Sequence, residues 1–337
     1  MKFAIDVMGG DHAPQAVLDG CTAFLQQAEY GDATLVLFGE EAILSHYVNE
    51  QQAYKTRIET VFTTETIGFD EHPTEAIRTK KDASMVRALQ SVKEGAADCI
   101  VSAGNSGALL AGATLIIRRQ KGVKRPALAA LLPACDGGCV LICDCGANTD
   151  CKPGYLQQFA LMGGAYLSIV QRVENPRIGL LNNGAEAEKG NLLTKEAYAR
   201  LQGMDLHFVG NVEARELMRG ACDVIVCDGF DGNVLLKTAE GVAKSITDML
   251  KEGLMGSLRG KLGGLMAKPA FAGLKKRMDY TEYGGAPLLG VNGGVIKAHG
   301  SSNAHAFYNA IRQAYRLTEG GVVAKIGQVI AETNIED

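Results

Sequence analysis

Residues 223–251, DVIVCDGFDGNVLLKTAEGVAKSITDMLK, carry the pattern on which the fold turns. The apolar, β-branched run 223–228 reads as a strand buried on both faces. The turn Asp228-Gly229-Phe230-Asp231-Gly232-Asn233 ends it and opens a helix expected over 233–251. The same strand–turn–helix unit recurs at Met8-Gly9-Gly10-Asp11, Ala103-Gly104-Asn105-Ser106-Gly107 and Asp144-Cys145-Gly146-Ala147-Asn148. Further strands are expected at 2–7, 34–38, 57–62, 98–102, 127–132, 140–144, 177–181 and 205–209. Helices are expected at 14–29, 84–94, 109–117, 155–172, 194–202 and 304–315, the last opened by the capping run Gly300-Ser301-Ser302-Asn303. This alternation predicts an α/β fold whose mostly parallel sheet is covered by helices on both faces. With no repeat, low-complexity tract or linker, 1–337 reads as a single large α/β unit.

Glycine-rich turns at the carboxyl ends of strands gather backbone N–H groups and helix N-termini in one crevice, which suits an anion. Four such turns predict a phosphate or carboxylate site, although any one alone could be a mere connection. Three phosphate fingerprints fail. Gly184-Ala185-Glu186-Ala187-Glu188-Lys189-Gly190 places its lysine before the glycine and has no hydroxyl after it, unlike a Walker loop. No G-x-G-x-x-G follows an expected strand, and kinase signatures are missing.

The composition is that of a globular chain: 47% hydrophobic and 21% charged among 337 residues, which excludes general disorder. A net charge of −4 argues against nucleic acid as the main partner. The 41 glycines exceed the typical share of roughly 7% without a collagen period. No apolar run reaches the length of about 18 residues that a transmembrane helix needs. The opening MKFAIDVMGGDHAP lacks a signal-peptide core, so a cytoplasmic location is expected. Nine cysteines without a secretory signal suggest reduced thiols.

Six stretches occurring in order carry a family resemblance. They are IDVMGGDHAP (5–14), VSAGNSGALLAGA (101–113), DCGANTDCKP (144–153), LLNNGAEAEKGN (180–191), VIVCDGFDGNVLLKTAEG (224–241) and GVNGGVIKAHGSSN (290–303). Together they resemble the bacterial phosphate acyltransferases of phospholipid synthesis, which make acyl-phosphate from acyl-acyl carrier protein and inorganic phosphate. The resemblance implies a three-layer α/β/α fold like the isocitrate and isopropylmalate dehydrogenases and related to phosphotransacetylases. It also implies a homodimer peripherally bound to the inner face of the plasma membrane. Acyl carrier protein and inorganic phosphate would be its partners, with the downstream glycerol-3-phosphate acyltransferase a further one.

That chemistry suits the residues. Phosphate is already anionic and the leaving thiol has a pKa near 8.5, so neither an activated serine or cysteine nor a strong acid is required. Positioning and donors aimed at the oxyanion suffice, without metal or organic cofactor. Lys189 and Asn233 are the expected catalytic pair. Lys189 would hold phosphate or the developing charge, and Asn233 would donate from its amide, unless these are a surface lysine and a helix cap. Asp228 and Asp231 would orient Lys189 or close their turn, and Glu186 would orient the lysine. Gly9, Gly10, Asp11, His12, Gly104, Asn105, Ser106, Gly107 and Gly232 complete the expected substrate-binding set, with His299 and Ser301 on its rim.

Cys135, Cys139, Cys143, Cys145 and Cys151 lack zinc-knuckle spacing. Cys143 and Cys145 are expected on one face of a buried strand, as small apolar residues. No Cys–His pairing supports a cysteine nucleophile.

Residues 253–278 contain six basic side chains and no acidic one, and read as a protruding amphipathic basic helical segment. Leu254, Met255, Leu258, Leu262, Leu265 and Met266 fall within an arc of roughly 120° on a continuous helix. Leu254, Leu258 and Leu262 with Lys275, Lys276 and Arg277 are the expected contacts with an anionic membrane. A dimer interface or a docking face for an acidic carrier protein reads the same stripe differently. Two rivals remain at this point: a phosphotransacetylase-like enzyme using acyl-CoA, and a non-catalytic membrane-bound scaffold for lipid synthesis.

Overall fold

Strand β1 (Lys2–Asp6) sets the pattern: Phe3 and Ile5 enter one hydrophobic cluster and Ala4 the opposite one, so both faces of the strand are covered. The computed structural model describes residues 1–278, 280–333 and 335; the side chains of 258, 269–272 and 274–281 fall outside that description. After β1 come α1 (Gln15–Leu25), β2 (Thr34–Gly39), α2 (Glu41–Glu50), β3 (Ile58–Phe62), α3 (Pro73–Thr79) and α4 (Ser84–Lys93). Then follow β4 (Cys99–Ser102), α5 (Ser106–Gly112), β5 (Ala127–Pro133), β6 (Cys139–Cys143) and α6 (Pro153–Val170). The next elements are β7 (Ile178–Asn182), α7 (Leu192–Gln202), β8 (Phe208–Glu213), β9 (Val224–Val226), α8 (Gly229–Met255) and α9 (Leu258–Met278). The chain closes with β10 (Gly285–Leu289), β11 (Gly294–Ala298), α10 (Ala304–Glu319) and α11 (Val322–Glu332).

All of these strands join one 11-stranded sheet in the order β3-β2-β1-β4-β11-β10-β5-β6-β9-β7-β8. Pairing is parallel except at β11–β10, β10–β5 and β5–β6. One face packs against α1, α6, α7, α10 and α11, the other against α3, α4, α5 and the first turns of α8. This is the expected three-layer α/β/α arrangement.

Several expectations shift for local reasons. The strand expected at 205–209 forms at Phe208–Glu213. It is the last strand of the sheet, so it needs no continuous apolar run, and Gly210 sits in it at φ 92°. The strand expected at 223–228 is confined to Val224–Val226, because Asp228 caps α8 instead of extending the sheet. The hairpin β10–β11 lies outside the expected strands; its glycines read as a turn. Cys143 and Cys145 do not share a face: Cys143 packs in the cluster around α6 and Cys145 in the one beneath α8. The strand ends at Cys143 and the chain turns at Asp144, so strand alternation no longer applies.

The apolar arc expected along 253–278 is also broken. Leu254 and Met255 end α8, the chain turns at Gly256-Ser257, and α9 runs back along α8. Gly264 faces Leu254, with room for a Cβ in ordinary contact at 3.6 Å. Leu262, Leu265 and Met266 are exposed, and no helix among the described residues is long and apolar enough to cross a membrane. The side chains of Leu258, Lys275, Lys276 and Arg277 lie outside the described residues.

Candidate active site at the crest of the sheet

The turns after β1, β4 and β11 interlock through their backbones. An added Cβ at Gly9 would lie 2.8 Å from the Gly104 nitrogen and would collide with the Asp6 carboxylate, so only glycine allows this approach. The Asp11 N–H donates to the Gly300 carbonyl at 2.8 Å. Beneath them the buried Asp6 accepts from the Ser84 and Ser102 hydroxyls, both at 2.6 Å. Burial raises its pKa against the pull of those hydroxyls and of Lys297.

The turn after β6 is built around Asp144. Its Oδ1 accepts from the N–H groups of Leu128 (2.9 Å), Gly146 (3.2 Å) and Ala147 (3.1 Å). Its Oδ2 accepts from Ala147 (3.1 Å), from the Asn148 amide N–H (2.7 Å) and from Asn148 Nδ2 (2.9 Å). The α8 N-terminus sits directly on this turn: the Gly229 N–H donates to the Asn148 carbonyl at 2.8 Å, and any Cβ at Gly232 would overlap the Asp144 backbone. Asn233 is thereby held one turn into α8, beside Gly146.

Between these two sets of turns lies a cavity of about 480 Å³ whose polar lining includes Ser106, Asn233, Lys237, Lys297, His299 and Ser302. Lys297, 8% exposed, donates from Nζ to the carbonyls of Ala103 and Ala298. Burial lowers its pKa to about 8, against the attraction of Asp6 and Asp11. Burial and then the charge of Lys237 lower the pKa of His299, so its ring is neutral at pH 7. His299 Nδ1 meets the Ser301 N–H at 3.2 Å and the Ser301 hydroxyl at 2.8 Å, and Nε2 lies 3.5 Å from Lys237 Nζ, an ammonium that can only donate.

Through Leu132, Lys237, Glu240, His299 and Ser301 this cavity shares its wall with a groove of about 950 Å³ between α8 and α9. Ala243, Ile246, Leu250, Leu254 and Leu265 make the groove apolar, and Lys244, Lys251, Lys261 and Lys268 rim it.

The structure thus gathers Asn233, Ser106, His299 and Ser301 at one cavity. Gly9, Gly10, Asp11, His12 and Gly104 shape the neighbouring turns without lining it. Asn105 caps α5, accepting from the Ala108 N–H at 3.0 Å, and its amide donates to the carbonyls of Gly68 and Phe69 at 3.1 Å. It braces a loop, and Gly107 packs against Pro73. Asp228 closes its turn, accepting from the Phe230 and Cys151 N–H groups, both at 2.8 Å. Asp231, two residues before Asn233, has its pKa raised by burial and by the charge of Asp228.

Lys189 and Glu186 are exposed in the loop after β7 and line none of these cavities. Because β7 pairs with β9, that loop leaves the sheet beside the turn that carries Asn233. Lys237, Glu240, Lys297 and Ser302 were not among the expected site residues. Lys237 is one turn along α8 from Asn233, a spacing that was legible. Lys297 and Ser302 lie in the quoted 290–303 stretch, but only the hairpin topology brings them to Ser106.

Among the described residues no cluster of three or more His, Cys, Asp or Glu is placed to hold a metal ion. Burial pushes the Cys143, Cys145 and Cys227 thiols well above their ordinary pKa, so they are poor nucleophiles.

The family model described as fatty acid synthesis protein matches residues 1–325. The phosphate acyltransferase of Clostridioides difficile (strain 630) is 48% identical over 337 residues, covering 100% of this chain and 98% of the relative. The chain belongs to this phosphate acyltransferase family. It is an enzyme, an acyltransferase of fatty acid and phospholipid synthesis. In fold it is similar to a phosphotransacetylase from Streptococcus pyogenes (TM-score 0.59, 16% identity, 98% of this chain and 94% of that one). It is also similar to a 4-hydroxythreonine-4-phosphate dehydrogenase from Salmonella typhimurium (TM-score 0.50, 12% identity, 94% of this chain and 98% of that one). Both likenesses concern architecture alone.

Proposed function

We propose that the enzyme transfers a fatty acyl group from the thioester of acyl carrier protein to inorganic phosphate, giving acyl-phosphate and the free thiol. The observation that carries this reading is the junction of a polar cavity, lined by Asn233, Lys237 and Lys297, with an apolar groove large enough for a long chain. A phosphate oxygen attacks the thioester carbonyl, a C–O bond forms, and collapse of the tetrahedral oxyanion breaks the C–S bond. The proton of hydrogen phosphate ends on the departing thiolate. Asn233 donates to the oxyanion or to phosphate, and Lys189 supplies a cation from the adjacent loop. No acyl-enzyme is formed.

The lysine-rimmed groove suits an acidic carrier protein, whose approach the rim would steer. Exposed Met255, Leu262, Leu265 and Met266 near the helix-pair turn suit peripheral contact with an anionic membrane at the inner face of the plasma membrane. Exposed Phe230, Val234, Val242, Ile246 and Met249 along α8 suit the apolar seam of a homodimer. Release near lipid would hand a poorly soluble, labile product to the downstream glycerol-3-phosphate acyltransferase.

The test uses purified protein, labelled inorganic phosphate and acyl carrier protein loaded with chains of increasing length. A hydroxylamine-sensitive labelled product is expected, absent with Asn233→Ala or Lys189→Ala while the fold persists. Each added methylene should favour turnover up to about four-fold, from roughly 0.8 kcal/mol per buried CH2, until the groove is full. Ala243→Phe should truncate that rise for long chains only. Equal turnover with acyl-CoA of any length would favour a phosphotransacetylase-like activity, and undiminished turnover in the Asn233 and Lys189 variants would reject their roles.

A further inference from the structure

The Lys297 ammonium is buried at the carboxyl end of β11, and among the described residues its hydrogen-bond partners are the carbonyl oxygens of Ala103 and Ala298. An ammonium has three donors, so one remains for a ligand. Asp6 and Asp11 act on it electrostatically, yet it forms no ion pair among the described residues. A cation so placed is costly unless something anionic shares the site.

A second, independent feature lies in the same cavity. Ser302 is 7% exposed, and its Oγ is buried without a hydrogen-bond partner among the described residues. A buried hydroxyl with no partner forfeits free energy unless a ligand completes it. Ser302 directly precedes the cap of α10, a 16-residue helix whose Asn303 Oδ1 accepts from the Ala306 N–H at 2.9 Å. The other amides of that first turn and the positive end of the helix dipole are left to favour an anion.

We infer that the attacking orthophosphate is seated between Lys297, Ser302 Oγ and the N-terminal turn of α10, in the cavity that Asn233 also lines. The inference rests on the acyl-transfer reading above and adds the residues that hold the second substrate. A standing dianion needs a cation and fixed donors before any acyl group arrives, and these groups supply both without an incoming thioester. The neutral His299 ring adds no charge of its own. The competing source of the same chemistry is the phosphodiester of the carrier protein's phosphopantetheine arm.

The experiment measures orthophosphate binding alone by calorimetry, and KM for phosphate and for acyl carrier protein separately, in the wild type, Ser302→Ala and Lys297→Met. Ser302→Ala removes no internal hydrogen bond of the hydroxyl, so its melting temperature should stay unchanged or rise. Its phosphate Kd and KM should still rise about ten-fold, as for a lost bond to a charged ligand. Lys297→Met should raise both further, with KM for the carrier protein within about two-fold of the wild type. Unchanged phosphate affinity in Ser302→Ala overturns the seat, even if Lys297→Met proves unable to fold. A raised carrier-protein KM with an unaltered phosphate KM overturns it too, assigning the site to the phosphodiester. Should the wild type make no acyl-phosphate, the acyl-transfer reading falls, while calorimetry with orthophosphate alone still decides the seat.

Discussion

Asp144→Asn is the substitution whose cost the structure states most directly. The carboxylate accepts six hydrogen bonds, three at each oxygen, with the Ala147 N–H shared between the two. Asparagine keeps the shape but turns one oxygen into a donor. If that donor occupies the Oδ1 position it opposes the N–H groups of Leu128 and Gly146; at Oδ2 it opposes both donors of Asn148. Either way two buried donors lose their acceptor, at about 1–3 kcal/mol each, for a total of about 4 kcal/mol. At roughly 2 °C per kcal/mol for a chain of this size, the melting temperature should fall by about 8 °C. Activity should fall as well below the melting temperature, because the Asn148 carbonyl holds the Gly229 N–H and hence the start of the helix bearing Asn233. Thermal unfolding followed by circular dichroism, with acyl-phosphate formation measured well below the transition, checks both effects. A melting temperature within about 1 °C of the wild type would refute the reasoning, since it would mean that the turn does not depend on an all-acceptor side chain.

Three further outcomes are expected. Arg177 donates to both oxygens of Asp223 and to the Gly220 carbonyl; burial raises the Asp223 pKa, but the Arg177 bonds and charge outweigh it and hold the pKa low. A depressed folded pKa contributes stability above the unfolded value near 3.9 and loses it as pH falls through the folded one. Arg177→Met should therefore cost about 1–2 kcal/mol in urea unfolding at pH 7 and progressively less as pH falls below the unfolded value near 3.9; a cost that ignores pH counts against the pairing. On the helix pair, Leu262 and Met266 are 62% and 78% exposed, so changing both to glutamate should leave stability intact while abolishing flotation with anionic vesicles. Charge reversal at Lys275, Lys276 and Arg277, in an otherwise unchanged protein, should weaken flotation by about 1 kcal/mol per residue; full retention in both variants would remove the membrane assignment.

Much of the architecture was legible because its signals are local. An apolar run followed by a glycine turn and a capped amphipathic stretch reports a strand entering a helix wherever it lies. Strands β1, β2, β4 and β6 accordingly fall within a residue or so of expectation. Edge strand β8 and hairpin β10–β11 escaped because an edge needs no two-sided apolar run, and because Gly285 and Gly294 serve close backbone approach. The site divides along the same line. Asn233 and Ser106 announce themselves as the polar ends of glycine turns, whereas Lys297, near the end of a strand in a run of glycines, reads as an ordinary solvated lysine.

The linear order of residues therefore determined the family, the repeated strand–turn–helix unit and the crest on which an anion would sit, since each depends on neighbours a few positions apart. Tertiary structure alone decided that β11 lies between β4 and β10, setting Lys297 and Ser302 against turns some two hundred positions earlier. It alone decided that α8 and α9 fold back on each other to line a groove opening onto that crest. Both outcomes rest on strand pairing and helix packing between distant segments, and such contacts leave no periodic trace in either partner.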